Sequence, residues 1–331
     1  MHYDPKLDGL RAIAAILVVA FHAKVPQLSG GFLGVDIFFV LSGYLITKLL
    51  VDERQKTNQI NYCRFYTRRL WRLYPALLLL ITVYALLAPI LYPQYKTTQH
   101  YQDIVLSGLY LADYARAFDI PLEVLSHTWS LSVEMHFYLL WPLILALILK
   151  LPKEHIRLTL SFMWIAATLW RWQEHYWLQD WRDIYDRADT HCSGLIFGAL
   201  LTTINPIKNK LVTIIGFMLT SLAMAYFRWR MESTTLFGFS LTEIGAAMII
   251  LAAPTWMGSS ILAWLGKMSY GLYLWHYPVI HIMRNLDASW QTSLITALSI
   301  GIALAAISYY LIEQPILKRH RKNYQMTKTS N

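Results

Sequence analysis

The chain has 331 residues; 56% are hydrophobic and 15% charged, and 29 lysines and arginines outweigh 20 acids for a net charge of +9. A soluble domain carries about 25% charged residues, so this balance, with a mean hydropathy of +0.37, excludes a string of soluble domains, a disordered chain, a collagen-like repeat and a disulfide scaffold. The apolar residues come in long blocks and the basic ones in short segments between them, which reads as membrane topology and not as a nucleic-acid surface.

A spanning helix needs roughly 20 mainly apolar residues, and about ten such stretches are predicted. The first, 7–26, contains AIAAILVVAFHA after a charged start and has the look of a signal peptide. The nine later spans, and a polar residue within it, favour a retained helix. The second (32–50) and third (73–92) flank an arginine-rich segment. Residues 93–127 form the longest extracytoplasmic stretch, with a short helical pattern, IVLSGLYLADYA. The fourth (128–149) and fifth (158–177) follow, then the sixth (187–206), which polar residues interrupt. The seventh (211–227) and eighth (235–254) are cleaner. The ninth (261–283) is interrupted again, and the tenth (292–317) precedes a basic, polar tail, 318–331. Neither an internal repeat nor a low-complexity tract is visible, so residues 1–317 read as one transmembrane domain. Cys63 and Cys192 suggest neither a disulfide nor a metal site.

Nineteen basic residues fall on one side of these spans, against nine on the other, with Arg11 inside the first. The richer side is predicted to be cytoplasmic, which places both termini inside. The expected fold is an all-α, multi-pass bundle in the cell membrane (the inner membrane if the source is Gram-negative), with any chemistry inside the bundle.

Ionisable residues within apolar spans are costly and mark candidate sites. Arg11 and His22 are eleven residues apart. Eleven steps of about 100° fall within about 20° of three full turns, so the two share a helix face, about 16 Å apart along the axis. The plain alternative has Arg11 reaching the interface and His22 bonded to a carbonyl. Glu134, in HTWSLSVEMHFYLLWP (127–142), lies about two turns into the fourth span and needs a partner; His22 is at comparable depth. A structural ion pair is the alternative there. Arg187, Asp189 and His191 open the sixth span, where pairing with neighbouring helices is the simpler reading. His276 belongs to the outer half of the ninth span, in GKMSYGLYLWHYPV. Glu313 sits at the inner end of the last span and Asp36 at the outer start of the second. Arg68, Arg69 and Arg72 in RFYTRRLWRLYPA (64–76) either anchor the loop or form an anion site, since guanidinium forks match phosphate geometry. Tyr92, Tyr95, Tyr101, Tyr110 and Tyr114 offer faces on which a sugar could stack.

LDGLRAIAAILVVAFH (7–22), GGFLGVDIFFVLSGYLIT (30–47), RFYTRRLWRLYPA (64–76), HTWSLSVEMHFYLLWP (127–142), RAD (187–189), MSYGLYLWHYP (268–278) and IEQP (312–315) occur in that order. Together they resemble the membrane acyltransferase-3 family of bacterial O-acyltransferases, from about Leu7 to Pro315. The resemblance implies a ten-helix core that moves acyl groups, often acetyl, from cytoplasmic acyl-CoA onto surface or exported carbohydrates, such as lipopolysaccharide or a lipid-linked glycan. It implies no tightly bound cofactor and no metal. Residue by residue, it places the family's arginine–histidine motif on Arg11 and His22, its arginine-rich segment on Arg68, Arg69 and Arg72, and its tryptophan–serine–glutamate motif on Trp129, Ser130, Ser132 and Glu134. Its serine–tyrosine and histidine–proline segment falls on Ser269, Tyr270, His276 and Pro278; Ser42, in the serine–glycine pair of the second motif, joins the polar candidates. Some members carry an added esterase-like domain outside the membrane, a part that a separate extracytoplasmic protein could take here.

On this reading Arg11 and the arginines of 68–72 hold the CoA phosphates, and the pantetheine arm runs toward His22. His22 then takes the proton of the acceptor hydroxyl, with Glu134 supporting the imidazole; an acyl-histidine intermediate is the alternative. The rival class is a transporter with an intramembrane proton relay. Such a relay does not need the arginine cluster.

Overall fold

The computed structural model describes residues 3–177 and 180–319, so most of the predicted tail 318–331 lies outside the described residues. Every regular element among the described residues is a helix. Helix α1 spans Pro5–His22: Asp4 caps it by accepting from the Lys6 N–H at 3.1 Å, and Pro5 occupies its first turn. Lys24, at φ 62°, ends its run. Next come α2 (Gly34–Thr57), α3 (Tyr62–Leu91), α4 (Thr97–Gly108) and α5 (Ala112–Ala117). Helices α6 (Trp129–Ile148), α7 (Lys153–Trp177), α8 (Trp181–Tyr185), α9 (Ala188–His191) and α10 (Ser193–Leu201) make up the middle. The chain ends in α11 (Lys210–Tyr226), α12 (Phe239–Leu251), α13 (Ser260–Lys267), α14 (Ser269–Asn285) and α15 (Trp290–Ile307).

Among the described residues, five helical stretches are long and apolar enough to cross a membrane: Gly31–Thr57, Tyr62–Leu91, Ser126–Ile148, Thr234–Leu251 and Trp290–Arg319. They match the second, third, fourth, eighth and tenth predicted spans, and they make this a multi-pass membrane protein. Helix α11 is a shorter apolar helix in the place of the seventh. The remaining predicted spans differ for local reasons. Helix α1 is unbroken, but Lys6, Asp8 and Arg11 crowd its first half. Helix α7 buries only Leu160 and Arg171. The sixth span breaks at Cys192 into α9 and α10, and the ninth breaks at Met268 into α13 and α14. The pattern expected over IVLSGLYLADYA is likewise interrupted, because Tyr110 takes φ 55° between α4 and α5.

Small residues bring the central helices together. Added Cβ atoms at Gly43 and Gly198 would lie 1.8 Å from the Leu195 carbonyl oxygen and 2.0 Å from that of Val40, so α2 and α10 meet backbone to backbone. A buried polar network ties α7 to α10 and α12. Arg171 donates to Ser193 Oγ (2.6 Å), Ser240 Oγ (2.7 Å) and the Thr235 carbonyl (2.7 Å). Glu243 accepts from Ser193 and from Trp164 Nε1 (2.9 Å). Every member has a partner, which is what a buried ion pair in an apolar bundle requires.

Candidate functional site

Two cavities adjoin inside the bundle. The first, about 210 Å³, is lined by His22, Arg116, His127, Tyr277 and Arg284 together with an aromatic wall. The second, about 90 Å³, is lined by Arg11, Arg69, Arg72, Ser42, Glu134 and Tyr138, among others. Val35 and Tyr273 line both, so these two side chains form the partition. The Tyr273 hydroxyl is held at 2.7 Å from Ser130 Oγ and at 2.8 Å from the His127 carbonyl. Helix α1 runs past both chambers, with Arg11 on the second and His22 on the first.

His22 does not meet Glu134. Its Nδ1 lies 3.0 Å from Nε2 of His276. His276 Nδ1 faces two carbonyls, those of Tyr273 (2.6 Å) and Leu272 (3.2 Å), and carbonyls only accept. Neutral His276 therefore carries its proton on Nδ1 and offers a lone pair at Nε2. His22 must then donate from Nδ1, which leaves its own Nε2 as a bare lone pair in the first chamber. His127 is fixed the same way: Nε2–H donates to the Leu274 carbonyl at 3.1 Å, and Nδ1 has no partner among the described residues. The His127 and Tyr277 rings stack, with centroids 4.8 Å apart, and the ring of His22 lies 4.7 Å from the same tyrosine.

Glu134 lies on the other side of the partition, its carboxylate held by the Ser42 hydroxyl, which also lies 3.0 Å from the Tyr138 hydroxyl. The expected depth match with His22 is thus corrected. The physical reason is the start of α6: Ser126, His127 and Thr128 are already buried, so the helix begins inside the protein and Glu134 reaches the level of Arg11. Arg11 pairs with Asp8 at 3.2 Å. Arg72 reaches Glu313 and the Lys267 carbonyl, each at 3.4 Å, and Ser308 donates to Glu313 at 3.1 Å. Arg69 stacks over Phe65 (5.8 Å) and Tyr138 (5.7 Å). Arg68 is exposed on the same helix and lines neither chamber. Ser269 and Tyr270 line the second chamber, and the Tyr270 hydroxyl donates to the Leu73 carbonyl at 3.1 Å.

Other candidates hold the walls. Asp36 is 3.0 Å from His191 Nε2, and His191 Nδ1 donates to the Tyr185 carbonyl at 2.6 Å, which pins the start of α2 to the turn before α9. Arg187 pairs with Glu174 (2.8 Å) and with Asp189, and Asp189 also accepts from Trp170 Nε1 (2.9 Å). Ser132 accepts from the Ala112 N–H at 3.2 Å and steadies α5. Trp129 belongs to the aromatic wall of the first chamber, where Tyr185 packs on it at 4.7 Å and on Trp229 at 4.6 Å. The outer-loop tyrosines are a different matter: Tyr92 and Tyr110 are buried, and Tyr92 bonds the Pro278 carbonyl.

Sequence reasoning passed over Arg116, His127, Tyr277 and Arg284. Arg116 is counter-charged by the buried Asp186 at 2.9 Å. Asp186 lies outside the spans; burial pushes its carboxyl up to about 6, against the pull of Arg116. Arg284 donates to the His22 carbonyl at 2.7 Å and lies over the Tyr277 ring at 5.8 Å. The signal for both arginines was present as cations on the side poor in basic residues.

The acyltransferase-3 family model, described as an acyltransferase domain, matches residues 4–313. An O-acetyltransferase, OatA of Staphylococcus aureus, is 34% identical over 359 aligned positions, which cover 97% of this chain and 58% of the relative. The peptidoglycan O-acetyltransferase OatA of Listeria monocytogenes is 31% identical over 360 positions, covering 97% of this chain and 57% of the relative. The chain thus spans less than two thirds of the length of these curated relatives. No solved structure matches it. On the family match over nearly its whole length, the chain belongs to the acyltransferase-3 family of membrane acyltransferases.

Proposed function

We propose that this protein is an O-acetyltransferase that moves the acetyl group of acetyl-CoA to a hydroxyl of a cell-envelope carbohydrate, with peptidoglycan the first acceptor to test because the Listeria relative is named for it. The observation that carries this reading is the 3.0 Å contact of His22 Nδ1 with His276 Nε2, which leaves a lone pair on Nε2 of His22, a residue lining one chamber; a second chamber, lined by three arginines, shares Val35 and Tyr273 with it.

The donor enters from the arginine end, taken as cytoplasmic. Arg69, with Arg11 and Arg72, binds its phosphates, because charge-assisted forks suit phosphate oxygens. The thin pantetheine arm passes the partition, and the thioester reaches His22. The acceptor hydroxyl occupies the first chamber against Trp129, Tyr185 and Trp229. As its oxygen attacks the thioester carbonyl, His22 Nε2 takes the proton and returns it to the departing CoA sulfur. Glu134, bonded to Ser42 and beside the arginines, sets the electrostatics of the donor chamber and does not support the imidazole directly.

The test uses the full chain in nanodiscs, supplied with acetyl-CoA and soluble peptidoglycan fragments and read by mass spectrometry. Wild type should add one acetyl unit per fragment, and His22→Gln, which keeps a hydrogen bond but no base, should lose at least ~10²-fold in rate at unchanged protein level. Full activity in His22→Gln removes the base and sinks this mechanism.

A further inference from the structure

Arg284 occupies a place that the chemistry above does not use. Its guanidinium lines the His22 chamber. One N–H is spent on the His22 carbonyl at the end of α1 (2.7 Å), which seats the cation at the negative end of that helix. The face of Tyr277 supports it from the side. Among the described residues no carboxylate is paired with it, whereas Arg116, the other guanidinium lining the chamber, is tied to Asp186. Its Nε–H is buried and has no hydrogen-bond partner among the described residues, and an unmet donor on a cation is costly. A residue serving only to cap α1 would need neither the uncompensated charge nor the spare donors.

We infer that Arg284 is a catalytic residue that stabilises the oxyanion formed when the acceptor attacks the thioester, an assignment that rests on the acetyl-transfer reading above. The acceptor oxygen forms a bond to the carbonyl carbon, and the carbonyl π electrons move onto its oxygen, which becomes the anion beside Arg284. His22 Nε2 holds the hydroxyl proton. When the oxyanion collapses, the C–S bond breaks, the sulfur leaves with its electron pair, and the proton passes from His22 to sulfur. The anchor through the His22 carbonyl fixes the cation relative to the base, so the guanidinium is in place before charge develops, which is the condition under which such donors act most strongly.

The experiment compares wild type, Arg284→Gln, Arg284→Ala and His22→Gln in nanodiscs with acetyl-CoA and peptidoglycan fragments, with initial rates taken over a range of both substrates. Gln can still donate to the His22 carbonyl but carries no charge. Both Arg284 variants should lose on the order of 10²-fold in kcat with KM for acetyl-CoA unchanged, and added guanidinium should restore part of the activity of Arg284→Ala. Normal kcat in Arg284→Gln overturns the assignment. So does a change confined to KM for the fragments, which would make Arg284 an acceptor-binding group, and so does failure of both variants to accumulate, which would make it a cap. An inactive wild type sinks the acetyl-transfer reading itself, whereas an active wild type with a dead His22→Gln and an active Arg284→Gln sinks only the role of Arg284.

Discussion

His22 Nδ1 and His276 Nε2 lie 3.0 Å apart, and the two carbonyls that hold His276 Nδ1 decide which ring donates. The pair is a one-way chain in which each imidazole spends its only proton on the next group, so α14 sets the protonation of a residue at the end of α1. Replacing His276 with Phe keeps a ring of similar size but removes the acceptor, so His22 can adopt the other tautomer with its proton on Nε2. We expect kcat to fall at least about tenfold with little change in KM for acetyl-CoA, as for a base held in the wrong tautomer. His276→Gln, whose carbonyl can accept from His22, should recover most of the loss. Equal activity in all three proteins would show that the pairing does not position the base.

The arginines of the second chamber are not equivalent. Arg11 and Arg72 each contact a carboxylate, whereas Arg69 rests on two aromatic rings beside Glu134. Arg68 is exposed on the lipid- or solvent-facing side of the helix. Arg69→Ala should weaken binding of a non-hydrolysable acetyl-CoA analogue by about 10- to 100-fold, the range for losing one charge-assisted contact. Arg68→Ala should change it less than threefold. Titration of the analogue by calorimetry in nanodiscs distinguishes the two, and identical affinities would remove the donor site from this chamber.

Asp186 gives a stability signature outside the spans. Burial raises its carboxyl from an ordinary value near 3.8 to about 6, so the folded protein holds this proton more tightly than the unfolded chain does. Ionisation then costs folded-state stability as pH rises from about 4 to about 6, and the contribution is flat above that. Relative to Asp186→Asn, which cannot ionise, wild type should lose at most on the order of 3 kcal/mol across that window. Melting temperatures in detergent at pH 4.5 and 7.5 measure the difference. An advantage of wild type that grows with pH would mean that the ion pair with Arg116 outweighs burial.

The approach of α2 to α10 helps to position α2, which carries Val35 and Ser42 to the chambers. A methyl group at Gly43 would fall 1.8 Å from the Leu195 carbonyl oxygen, so Gly43→Ala must push two backbones apart. The expected cost is about 1–3 kcal/mol, typical of overpacking, seen as a lower melting temperature and reduced membrane level. Gly108→Ala, whose nearest neighbour is the end of the Ile81 side chain at 3.3 Å, should be much milder. Equal stabilities would contradict the close packing.

Composition and periodicity determined the all-helical, multi-pass class, because an apolar block and its polar interruptions are local properties of the chain. They also singled out Arg11, His22, Glu134, Asp36 and Glu313, since an ionisable residue inside an apolar run stands out without any knowledge of its neighbours. Helix geometry is equally local, so the common face of Arg11 and His22 could be computed from their spacing. The partners could not. His22 and His276 are separated by 254 positions, and Ser42 and Glu134 by 92. Which of two buried histidines faces which carboxylate depends on where each helix starts relative to the others. The buried start of α6 shifts this stretch inward, which sets Glu134 at the level of Arg11 and His127 at that of His22, and no residue within α6 announces it. Arg116 and Arg284 were legible as charges, but their seats, against Asp186 and against the end of α1, exist only once three separate stretches of chain are packed together.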